Sequence, residues 1–260
     1  MNLKINLRGL LAAALVWGGI ATSAIAESSS APDAHLMRMA EFLGRAGMFS
    51  TTIQAGFDVV QASGQKIEFR ERRQVTVIRP NRFRVEIEES DGEKGLVLYD
   101  GQALTAYSET QNVYASVEKP GTTDEALVYF LRDLKMRMPL ALMFSTTFLQ
   151  EMERRVQSVE LVEVDVTTDI ACLHLAVRAD QVDFQVWIPE TGDPLPRRIV
   201  ITYRGEKGQP QFRADFSNWN LAPQLSDSDF KFTPPDAAER IEFLSEIRTP
   251  PVSEGSGGGG

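Results

Sequence analysis

From Ile67 to Val117 apolar and polar residues alternate by twos, around a corner at Arg79-Pro80-Asn81-Arg82-Phe83. A period of two marks strands with one buried face, so this stretch predicts a curved antiparallel sheet. The alternation begins earlier. Ile53, Ala55, Phe57 and Val59 alternate with Thr52, Gln54 and Asp58, and Ser63-Gly64-Gln65 supplies a turn, so a long hairpin is expected. In its returning strand Ile67, Phe69, Val75 and Val77 share a face, and strict alternation would put Glu71 and Arg73 there too. Either a bulge shifts the register or two charges point inward. The cost of setting charge against an apolar layer favours the bulge. Phe83, Val85 and Ile87 then alternate with Arg82, Arg84, Glu86 and Glu88, and short strands follow at Leu96–Tyr99, Ala103–Tyr107 and Val113–Val117.

Helical spacing interrupts the strands twice. Leu36, Met39, Ala40 and Leu43 recur as on one face of a helix over Ala34–Ala46. At Thr122 the pattern changes again: Thr123 is placed to cap a helix carrying Leu127, Phe130, Leu131 and Leu134. Met136–Phe148, rich in Met, Leu and Phe, predicts a second helix. Strands resume at Val156–Val166, Cys172–Arg178, Val182–Ile188, Arg197–Tyr203 and Gln211–Trp219. Strands on both sides of a helical insert predict one mainly β (α+β) domain, an incomplete barrel spanning residues 34–249. A Ser-rich spacer (27–33) precedes it, and a Gly-rich tail (250–260) expected to be disordered follows.

The first residues follow another logic. Lys4 and Arg8 precede the apolar run Gly9–Ile20, which ends at Ala24-Ile25-Ala26, a small-x-small cleavage pattern, so residues 1–26 read as a secretory signal peptide. No later segment approaches the length of a membrane span, and a periplasmic protein not integral to the membrane is expected. Cleavage would remove two positive charges and no negative ones from a formal charge of −9, leaving −11. So acidic a chain does not seek phosphate backbones, and nucleic acid is not an expected partner. The single cysteine, Cys172, has no internal disulfide partner, so burial alone must hold the fold.

Candidate chemistry is sparse. Cys172 and His174 share a strand face, which suggests a thiol and its base, but Leu173 and Leu175 beside them read as core. Calcium on Asp91 and Glu93, or on Asp227 and Asp229, competes with the plainer reading of solvated acidic turns. Glu86, Glu88 and Glu89 lie on one strand, whereas glycosidase carboxylates oppose each other across a cleft. No phosphate-binding glycine loop or nucleophile elbow occurs. Neither catalytic residue, metal nor cofactor is therefore expected. What remains is apolar payload, including Met136, Met138 and Met143 in the insert, where flexible thioethers suit varied apolar ligands as well as ordinary packing.

The order of these signals resembles a known superfamily. The helix, the long hairpin, Arg79-Pro80-Asn81-Arg82-Phe83, Tyr99-Asp100-Gly101-Gln102-Ala103-Leu104 and Phe230-Lys231-Phe232-Thr233-Pro234-Pro235 resemble the LolA/LolB-like lipoprotein carriers. Ala171-Cys172-Leu173-His174-Leu175, Asp183-Phe184-Gln185-Val186-Trp187-Ile188 and Pro194-Leu195-Pro196-Arg197 are similar to a family of predicted periplasmic proteins within it, DUF2092. The resemblance implies a LolA-like half-open antiparallel β-barrel covered by helices, with an apolar cavity for lipid or lipoprotein acyl chains. It makes Arg79 a lid latch and Phe83 an acyl contact. The cavity lining expected with Phe83 is Val85, Ile87, Leu98, Leu127, Phe130, Leu134, Met138, Met143 and Phe144. The alternative it leaves is an envelope regulatory module that binds another periplasmic protein.

Overall fold

The computed structural model describes residues 31–133 and 139–243; the expected signal peptide and tail, and Leu134 and Met138, lie outside the described residues. Helix α1, Pro32–Arg45, starts with proline in its first turn, where the missing N–H costs nothing, and buries Leu36, Met39, Ala40 and Leu43. Six strands follow: β1 (Met48–Val60), β2 (Lys66–Ile78), β3 (Arg82–Glu89), β4 (Lys94–Tyr99), β5 (Ala103–Ser108) and β6 (Val113–Glu118). The insert holds α2 (Thr123–Val128) running into a π-helical turn, a 3-10 turn at Ala141–Phe144, and α3 (Phe148–Arg155). Then come β7 (Val156–Asp165), β8 (Cys172–Ala179), β9 (Val182–Pro189), β10 (Arg198–Tyr203), β11 (Gln211–Asn220) and the two-residue β12 (Glu239–Arg240).

Among the described residues twelve strands form one open sheet, ordered β12-β6-β5-β4-β3-β2-β1-β11-β10-β9-β8-β7 and antiparallel except where β12 joins β6. In the middle of the sheet the two halves of the chain meet where β1 pairs with β11. One face is apolar in cross-strand rows. Phe49, Val77, Phe83, Tyr99 and Leu104 make one row, and Thr51, Val75, Val85, Val97 and Ala106 the next. The helices cover this face, and their buried side chains join it in one cluster. Each apolar side chain buried there contributes about 1.5–3 kcal/mol.

The expected bulge in β2 does not occur. Register runs unbroken from Lys66 to Ile78 against β1, and from Glu71 to Ile78 against β3. Glu71 and Arg73 therefore face the apolar side, where Arg73 Nη2 lies 2.5 Å from Glu71 Oε1. Pairing the charges offsets part of the cost that argued for a bulge. The insert also departs from expectation: α2 is capped by Thr122 rather than Thr123, in a capping box with Glu125. Nor is Met136–Phe148 a continuous helix, because Leu140 takes a positive φ of 73° before the 3-10 turn.

The opposite face is strapped by the C-terminal segment. Arg82 pairs with Asp227 at 2.6 Å, Phe230 is buried, and Phe232 packs on Tyr107 and Tyr114. The last described residues then add β12 to β6, with Glu239 N–H donating to Asn112 O.

Candidate functional site

The corner between β2 and β3 brings the sheet to the helices. Arg79, at the end of β2, donates from Nη1 to the carbonyl of Ala46, just past α1, and from Nη2 to the carbonyl of Phe144, at the end of the 3-10 turn (3.0 Å). Its backbone N–H donates to Gly47 O and its guanidinium lies 5.8 Å from the Phe49 ring centroid. Burial pushes this guanidinium below its ordinary range, against the opposing pull of Asp124. It stays charged at neutral pH all the same. Helix C-termini concentrate unpaired carbonyls and partial negative charge, which is what a cation there satisfies.

Neighbouring contacts tie the same elements. Thr123 N–H donates to Pro80 O at 2.8 Å, and Thr146 donates to Asp124 from both its N–H (3.0 Å) and its hydroxyl. Tyr99, fully buried, donates to Lys119 O at 2.9 Å. Gly101 has φ 91°, and a Cβ there would lie 2.5 Å from the Asn81 amide nitrogen, so glycine is required where β4–β5 turns against the corner. The two motifs Arg79–Phe83 and Tyr99–Gln102 are thus one packed unit.

Of the residues expected to line a cavity, Phe83, Val85, Leu127, Phe130, Met143 and Phe144 are brought together, buried in the cluster between sheet and helices, and Ile87 packs partly buried against it. Leu98 is not among them. It faces the other side of the sheet, beside Arg84 and Thr105, and is covered by the strap. A hollow of about 350 Å³ there is lined by Leu98, Thr105, Ser116, Phe232, Pro234 and Arg240, and one of about 360 Å³ flanks the end of α1 near Phe42, Met48 and Leu221. Both lie outside the layer between sheet and helices. Within that layer the described side chains pack against one another.

Cys172 and His174 also lie on the face away from the helices. The thiol is buried and donates to Ile170 O, while the imidazole stacks on Trp187 at 4.0 Å and bonds Gln185 through Nε2 at 2.9 Å. His174 is thereby engaged as a packed side chain. Sequence reasoning missed the carbonyl ligands of Arg79, because main-chain acceptors leave no mark in side-chain pattern. It set aside the inward pair Glu71–Arg73, although the period of two pointed to it.

A protein family described as "Predicted periplasmic protein (DUF2092)" matches residues 32–244. No curated protein matches the sequence. Among solved structures, a LolA superfamily protein from Nitrosomonas europaea is similar at 13% identity and TM-score 0.40, over 77% of this chain and 97% of that one. The Mycobacterium tuberculosis lipoprotein LppX is similar at 12% identity and TM-score 0.47, over 74% and 97%. A chain of the Pseudomonas aeruginosa MucA/MucB complex is similar at 17% identity and TM-score 0.42, over 78% and 61%. Among the described residues no helix is long and apolar enough to cross a membrane.

Proposed function

Because the chain belongs to the DUF2092 family of predicted periplasmic proteins, we propose that it is a periplasmic binding or carrier protein that holds acyl chains between its apolar sheet face and the helices, with Arg79 as the latch. The observation that carries this reading is the pair of bonds from Arg79 to Ala46 O and Phe144 O, which fasten two separate helical segments to one strand end. A packed layer closed by such a tie accepts a ligand when the tie opens and the cover lifts. Met143 and Phe144 then exchange contacts with the sheet for contacts with the chain. Each acyl methylene removed from water contributes about 0.8 kcal/mol, so a partly enclosed chain binds usefully and leaves when the cover closes.

Displacement of a fluorescent fatty acid, followed with native mass spectrometry, tests this. The protein is expected to take up the probe, and Arg79→Leu to exchange it roughly tenfold faster, since hydrogen bonds from a charged donor are lost. A protein that takes up no acyl ligand sinks the reading. Unchanged exchange in Arg79→Leu reduces Arg79 to a strand-end residue.

One feature favours a second reading, as a module that binds another envelope protein. Strand β7 is an edge of the sheet, and Leu161, Val162, Val164 and Val166 along and just beyond it are exposed. An uncovered apolar edge is a template for a partner's strand. A stoichiometric partner that survives delipidation and is lost in Val164→Lys would support it.

A further inference from the structure

The apolar face holds one charged feature that the latch does not use. Glu71 and Arg73, two residues apart on β2, both point to this face and are about nine-tenths buried, with side chains 9% and 12% exposed. Arg73 sits between Ile53 and Ile87, and Glu71 between Ala55 and Glu89. Their contact leaves capacity on both: Glu71 Oε1 is held by Arg73 Nη2 without hydrogen-bond geometry, and Arg73 Nε has no partner, both atoms being shut off from water. One vacancy is an acceptor and the other a donor. Beyond the pair the same face continues as Phe57 stacked on Phe69 at 6.0 Å, then Val59 opposite Ile67, and here Phe69 and Ile67 are each 40% exposed.

We propose that this pair is a headgroup site for a zwitterionic amine–phosphate lipid, with the acyl chain lying along Phe57, Phe69 and Ile67. The proposal rests on the reading that the protein binds acyl chains and adds the chemistry at the polar end. A phosphate oxygen accepts from Arg73 Nε–H while an ammonium N–H donates to Glu71 Oε1. Residues two apart on a strand are separated by about 6.8 Å at Cα, and the charged tips converge from there to a span that one phosphoethanolamine bridges. A ligand with both charges leaves neither buried group unpaired, whereas an anion alone would meet Glu71 and Glu89, and a cation alone would strand Arg73. The need for an N–H also separates ethanolamine from choline, whose quaternary nitrogen donates nothing.

The test compares three single-chain lipids of equal length, lysophosphatidylethanolamine, lysophosphatidylcholine and lysophosphatidylglycerol, by calorimetry on the whole protein. Wild type is expected to bind the first about tenfold more tightly than the other two, the scale set by hydrogen bonds to charged groups. Glu71→Leu/Arg73→Leu should bind all three alike, and replacing a buried pair by apolar residues is compatible with folding. Glu71→Gln, which keeps the shape and drops the charge, should lose the preference as well. Equal binding of the three by wild type, or a preference kept in both variants, overturns the headgroup site and leaves acyl binding standing. Absence of binding to every lipid overturns both.

Discussion

Tyr99 carries a hydroxyl into the most apolar part of the molecule and disposes of it on the carbonyl of Lys119. Burial, with the nearby charges of Glu125 and Asp100, raises its pKa, so the phenol stays protonated and donating at neutral pH. Tyr99→Phe keeps the ring against Phe83 and removes only the bond, so a loss of about 1 kcal/mol is expected in a urea titration. Single residues were unevenly legible in the sequence. Phe83 and Val85 declared themselves because charged neighbours fix the phase of their strand. Leu98 did not, because Leu96, Val97 and Leu98 are apolar on both faces, and what buries Leu98 is a strap about 130 residues further on. Glu71 and Arg73 were misjudged for another reason: the cost of burying one charge was applied to two that pair.

Among the elements, β1 is tied to β11 by a charged contact. Asp58 of β1 accepts from Arg213 Nη1 at 2.8 Å and from the Gln211 N–H at 2.9 Å, both on β11. Burial opposes ionisation of this carboxylate, but the bonds from Arg213 and Gln211 outweigh it and hold its pKa below the ordinary value. A depressed carboxylate stabilises the fold above its unfolded pKa of about 3.9, and that contribution is lost as pH falls through the lower folded value. Asp58→Asn should therefore be destabilised relative to wild type at pH 7, with the gap closing in denaturant titrations as pH falls below the unfolded value and through the lower folded one. A gap that stays constant with pH would remove the charge from this account. The strands were legible from period and turn residues. The insert was legible only as helical, although Pro139, which cannot donate within a helix, marks the place where Leu140 with its positive φ breaks Met136–Phe148.

At the scale of the molecule, the acyl-binding reading requires the helical cover to open while the sheet stays intact. Hydrogen exchange read by mass spectrometry is expected to show α2 and the 3-10 turn exchanging well before β1 to β4, as lower local stability demands. Equal protection would mean that cover and sheet form one cooperative unit, and the carrier reading would lose its motion. The single open sheet was foreseeable from strands flanking a helical insert. The strap was not, because nothing in Phe230–Pro235 says which face it covers.

The seam between β1 and β11 has its own consequence. Thr51 donates to Ser217 O across 166 positions of sequence, in the middle of the sheet rather than at its rim. In a chain that emerges N-terminus first, β1 can pair with β2 at once, yet its other side has no neighbour until almost the whole domain has emerged. The centre of the sheet is thus completed late, and such distant pairing makes folding slow. A nascent chain spends that interval with a long apolar strand edge unmated. Within this protein, the hazard of aggregation is greatest before β11 arrives and falls when it pairs with β1.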